Sequence, residues 1–164
     1  MSGSAPSLYD VDFVRWLDQQ ASALREAGRA GTNLPLDWEN LAEEIAALGR
    51  SDRRELRSRL ITILLHLTKL RLSSAEAPRA GWKATVARER LELLGGVLGD
   101  SPSLRAQVAD LIAELTPKAV ALAAGELSAR GELSESARSG LASVRYTEAQ
   151  ILGDWFPDAP ERGA

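Results

Sequence analysis

Apolar residues recur at intervals of three and four along most of this chain, and no stretch alternates with period two over the length of a strand. The pattern predicts an all-α fold. Its densest part is Leu36–Leu72. Asp37 stands as an N-cap before Trp38, Leu41, Ala42, Ile45 and Leu48, which form one apolar stripe. Gly49 should end or bend this helix, and Ser51 offers a cap to the next. From about Asp52 to Leu72 the stripe Leu56, Leu60, Ile63, Leu67 and Leu70 is joined by a second one, Ile61, Leu65 and Leu72. A helix that is apolar on two sides is covered on two sides, so Asp52–Leu72 is predicted as the buried central helix.

The flanking elements follow the same logic. Asp10 is expected to cap a first helix carrying Phe13, Trp16, Leu17, Ala21 and Leu24 on one face, until Gly28 and Gly31. A further helix spans Trp82 to about Leu98, with Trp82, Val86, Leu93 and Val97 inward and Glu89 on the same face. Ser101-Pro102 restarts a helix with Leu104, Val108, Leu111, Ile112 and Leu115. Pro117 should kink or split it near Thr116, and Val120, Ala123, Ala124 and Leu127 carry it on to Gly131. Residues 131–146 are polar, with a helical turn or two over Ser134–Leu141, and Thr147 to Gln150 has capping-box spacing. The expectation is one helical domain, 9–157, of about five main helices, between loose tails at 1–8 and 158–164.

Composition narrows the chemistry. The chain has 164 residues, no cysteine and one histidine, which excludes disulfides, thiolate nucleophiles and multi-histidine metal centres. A formal charge of −3 argues against nucleic acid as a partner. The absence of a long apolar run argues against a membrane, and the N-terminus lacks a secretory pattern, so a cytoplasmic location is expected. Tests for metal fail on spacing, because Ile63 stands where a Glu-x-x-His pair would need its glutamate. A carboxylate-only site from Glu39, Glu43 and Glu44 is read as a solvated helix surface instead. No cofactor is expected.

Two candidate sites remain. The polar strip of Asp52–Leu72 contains Glu55, Arg59, Thr62, His66 and Lys69, with Glu39, Glu43 and Glu89 as carboxylates on neighbouring helices. A half-buried histidine beside carboxylates would have a raised pKa and could serve as acid or base. The competing reading is that these charges satisfy one another across a helix interface. The second candidate is a ridge at i, i+3, i+4 and i+7: Arg50, Arg53, Arg54 and Arg57. Trp155-Phe156 is expected to anchor the C-terminal segment onto the bundle.

The segments Tyr9–Arg25 and Leu36–Leu60 (with DWENLAEEI, then ALG, then S-x-x-R-x-L), followed by His66, Lys69, Trp82, Thr85, Arg90 and Ser101–Leu104, resemble the bacterial domain-of-unknown-function family 29. The resemblance implies a helical domain filling nearly the whole chain. It implies no activity. The family's Pro-Cys-Pro-like element lacks its cysteine here, and Pro117 departs from the family pattern. Taken together, the reading favours a non-enzymatic protein-interaction or regulatory module, acting on a protein partner or by self-association. The alternative is a small-molecule or anion binder, or an enzyme, built on Arg59, Thr62, His66, Glu43 and Glu89.

Overall fold

A computed structural model of the protein describes residues 6–160. Its elements are α1 (Leu8–Val11), α2 (Phe13–Arg29), α3 (Trp38–Leu72), α4 (Arg79–Gly95), α5 (Pro102–Arg105), α6 (Val108–Ala129), α7 (Glu135–Gly140) and α8 (Glu148–Leu152). A 3-10 turn, Leu141–Ser143, follows α7. The fold is all-α, and α2, α4 and α6 all pack on α3. The expected centre is correct. Leu56, Leu60, Ile63, Leu67 and Leu70 are all fully enclosed, and Leu64 joins them. They meet Val86 and Leu93 of α4 and Val108, Ile112, Ala119 and Leu127 of α6 in one core.

Gly49, where the sequence is compatible with a helix end or with a bend in one long helix, does not end the helix: it lies inside α3, which runs unbroken for 35 residues. A Cβ at Gly49 would crowd Arg53 Nη1 of the same helix at 3.1 Å and would meet α2 at ordinary contact distance, 3.8 Å from Leu17 Cδ1. Gly28 is the glycine that lets α2 and α3 approach closely, since a Cβ there would fall 2.8 Å from that of Trp38. The termination signal of α2 is Gly31, whose φ of 70° is left-handed.

Pro117 also fails to split its helix, because α6 passes through it. Proline removes one donor, to Ala113 O, and Ala113 is exposed, so that carbonyl can be hydrated. The break falls earlier, at Ala106–Gln107, between α5 and α6. The helix after Ser73–Pro78 begins at Arg79 and stops at Gly95, short of the expected Leu98.

The caps differ as well. Asp10 is the third residue of a capping box whose cap is Ser7, and α1 begins at Leu8. Residues 1–5 and 161–164 of the expected tails lie outside the described residues. Asp12 caps α2 through Arg15 N at 3.2 Å and also accepts from Ser103 N at 3.0 Å and Ser103 Oγ at 2.8 Å. In return Ser101 Oγ accepts from Val14 N at 3.2 Å. The starts of α2 and α5 therefore cap each other. Val14, not Phe13 or Trp16, is the buried residue at this end.

Candidate functional site

The helical spacing of the polar strip survives folding, and its members meet different partners. Arg59 Nε bonds Glu55 Oε1 at 2.8 Å and its Nη1 bonds Glu89 Oε2 at 2.9 Å, while Glu92 lies 3.7 Å from Nη2. Glu55 first, and Glu89 after it, hold the Arg59 guanidinium above its ordinary pKa. The Glu89 side chain is only 12% exposed, while Glu55 and Glu92 stay open to solvent, so this cluster joins α3 to α4 at the margin of their interface. Thr62 turns its hydroxyl back to Ser58 O at 3.1 Å.

His66 Nδ1 lies 2.9 Å from Thr62 O, so the neutral ring carries its proton on Nδ1 and leaves Nε2 as the acceptor. Burial lowers its pKa below the usual value; the bond to Thr62 O opposes this, and Lys69 reinforces it. The expected raised pKa is therefore wrong, because Glu126 and Glu89 act too weakly on the ring to offset desolvation. Glu43 is not part of the strip at all. With α3 continuous, a rise of about 1.5 Å per residue sets Glu43 ~35 Å from His66 along the axis. Five surface clefts are lined by other residues, and Arg59, Thr62 and His66 belong to none of them.

The arginine ridge is largely consumed inside the molecule. Arg50 pairs with Glu43, and Arg53 Nη2 reaches Asp18 Oδ2 on α2 at 2.6 Å. Arg57 grips Glu114 of α6 with both terminal nitrogens, Nη1 at 3.0 Å and Nη2 at 2.5 Å. Arg54 is exposed and makes no ion pair among the described residues.

Three buried cations were not legible as a group. Lys69 pairs with Glu126 of α6 and lies over the Trp82 ring, 5.7 Å from its centre. Arg79 donates to Leu70 O at 2.9 Å and Ser73 O at 3.0 Å, closing the C-terminus of α3. Arg90 donates to Ile151 O, Gln150 O and Trp155 O at 2.7–2.8 Å and stacks on Phe156. It closes the C-terminus of α8 and fastens the aromatic segment that follows. A signal existed in the sequence: Arg90 occupies an inward position four residues after Val86.

The remaining feature is the hairpin of α2 and the first half of α3, which pack antiparallel across the Gly28–Trp38 and Gly49–Leu17 contacts. One side of this seam is ionic, with Arg25 on Glu39 and Glu43 and Arg53 on Asp18. A rotation of about 100° per residue places Phe13, Trp16 and Ala27 of α2, and Leu41, Ile45 and Leu48 of α3, on the opposite side. That side is open. Leu41 and Leu48 are 41% and 51% exposed, and Leu34 and Leu36 in the preceding loop 61% and 48%. Tyr9 extends the row, its ring 5.5 Å from Phe13 and 4.9 Å from Trp16. Glu44 and Glu55 follow along the outer margin of this edge, with Asp37 at its start and Asp52 in line with the leucines. Glu44 and Asp52 make no ion pair among the described residues, and partial burial, with Glu55 next, raises the Asp52 pKa.

Among the described residues no helix is long and apolar enough to cross a membrane. Residues 8–156 match the model of the family described as domain of unknown function DUF29. The fold is similar to the crystal structure of an α-helical protein of unknown function from Rhodospirillum rubrum, 25% identical, with 90% of each chain covered and a TM-score of 0.71. A comparison with curated proteins finds no match. The chain belongs to the DUF29 family.

Proposed function

We propose that this DUF29 protein is a non-enzymatic interaction module that seats a basic amphipathic helix of a protein partner against the open edge of the α2–α3 hairpin. The observation that carries this is the row of exposed leucines, Leu34, Leu36, Leu41 and Leu48, bordered by carboxylates. Leucines at seven-residue spacing match the anchors of a helix laid alongside, and the acidic margin complements lysines or arginines on its flanks. The ridge from Arg50 to Arg57 is a weaker docking surface, since three of its four guanidinium groups already hold carboxylates.

The alternative is a small-molecule or anion site on Arg59, Thr62, His66 and Glu89. It has less support, because Arg59 is already surrounded by three carboxylates and lines none of the five clefts described above.

The test uses a labelled leucine–lysine amphipathic peptide, with a scrambled peptide of the same composition and a leucine–glutamate version as controls, read by fluorescence anisotropy. Binding should be confined to the leucine–lysine helix and should weaken roughly tenfold or more in Leu41→Asp/Leu48→Asp, with the circular dichroism spectrum unchanged. Equal binding of all three peptides, or indifference to the double substitution, refutes the proposal.

A further inference from the structure

A second feature lies far from the hairpin, where the segment after α7 crosses the middle of α6. Pro117, Val120 and Ala121 of α6 face Leu141, Ala142 and Val144 across a cleft of about 400 Å³. Its origin is in the side chains. Ala121 and Ala142 contribute only methyl groups, and the Pro117 ring is short, so the two walls do not close on each other. The volume lies within the range of small-molecule sites, and walls of this kind, apolar with few polar groups, are what such sites use.

One cation stands among these walls. Arg145 lines the cleft, and its Nη1 donates to Ala142 O at 2.9 Å and Val144 O at 2.7 Å. Those carbonyls belong to the crossing segment itself, so the guanidinium is pinned at the cleft rather than free to sweep the surface. Its Nε and Nη2 make no hydrogen bond among the described residues, and no carboxylate there pairs with it. Most other arginines that bridge elements of this fold hold carboxylates or helix-end carbonyls. Arg145 keeps the Nε–Nη2 edge of its planar fork unused, and such an edge can receive a carboxylate through two parallel bonds.

We propose that this cleft binds a small amphipathic carboxylate, its aliphatic or aromatic body between Pro117, Ala121 and Leu141 and its head group on Arg145. The apolar walls supply most of the affinity, and the guanidinium selects the charge. The site is independent of the hairpin edge, because it shares no residue with it.

The experiment titrates octanoate, and separately octanol, into the full-length protein while recording amide NMR shifts. Octanoate should perturb Ala121 and the amides of 141–145 saturably, at one site. Arg145→Gln should weaken octanoate roughly tenfold and leave octanol unchanged, as loss of a charge-assisted bond requires. Ala121→Phe should fill the cleft and abolish both; Ala121→Leu is the milder substitute if the phenylalanine variant does not fold. Three results overturn the proposal: no saturable shift with octanoate, shifts centred elsewhere, or an octanoate affinity indifferent to Arg145→Gln.

Discussion

Residues 38–49 and 56–72 belong to one uninterrupted helix, and both carry apolar stripes of similar quality, yet their surroundings differ. In the first part Ala42 and Gly49 are buried, and Leu41 and Leu48 face outward. In the second, six leucines and Ile63 are enclosed between α4 and α6, together with Lys69 and Thr68. A stripe on a helix therefore states what could be covered, while the number of neighbouring helices decides what is. The first half has α2 beside it. The second half has neighbours on several sides, and its polar groups must find partners within the protein.

The sharpest way to break this contrast is to shorten one leucine in each half. Leu64→Ala should lower the unfolding free energy by about 3 kcal/mol or more in a denaturant titration, while Leu48→Ala should stay within about 0.5 kcal/mol. Comparable losses at both positions would mean that the hairpin edge is already covered, for example by self-association.

An intermediate effect is expected from charge. Glu126→Ala leaves Lys69, whose side chain is 7% exposed, without its counter-charge, and should cost about 2–3 kcal/mol. Lys69→Met should cost less, since it removes the buried charge along with the pair. Arg57→Ala, which breaks an ion pair open to solvent, should leave the denaturation midpoint unchanged.

The smallest effect concerns His66. Its pKa in the folded protein lies below that of an unfolded chain, so below about pH 6.5 the unfolded state binds more protons. Stability from the neutral ring is thus complete above that pH and is lost as pH falls through the folded value. Thermal melts from pH 7.5 to 5 should show a shallower acid decline in His66→Gln than in the wild type. A wild type whose His66 contribution instead grows with acidification would require a raised pKa.

The second half of α3 was legible because periodicity alone marks a helix covered on two sides. Gly49 stayed open between a helix end and a bend within one helix because glycine is found at both, and no neighbouring residue in the sequence decides between them. Pro117, expected to kink or split its helix, does not split it, because a missing donor matters little where the orphaned carbonyl is exposed. Within the candidate strip, Arg59 and Glu89 do come together, whereas Glu43 could neighbour His66 only if the chain turned at Gly49, and α3 runs straight through that residue. The exposed row from Leu34 to Leu48 could not be told from core, because its leucines obey the same spacing as buried ones. Arg145 has no sequence signal of its own; its setting depends on where the chain after α7 crosses α6.

The shared caps of Asp12, Ser101 and Ser103 carry a consequence for cooperativity. Two helix starts far apart in the chain satisfy each other's amide groups, so fraying at either one exposes donors at both. The outermost turn of α2 should not open alone. In hydrogen exchange, the amides of Val14 and Ser103 should share one opening free energy, as a single unit that joins the hairpin to the core.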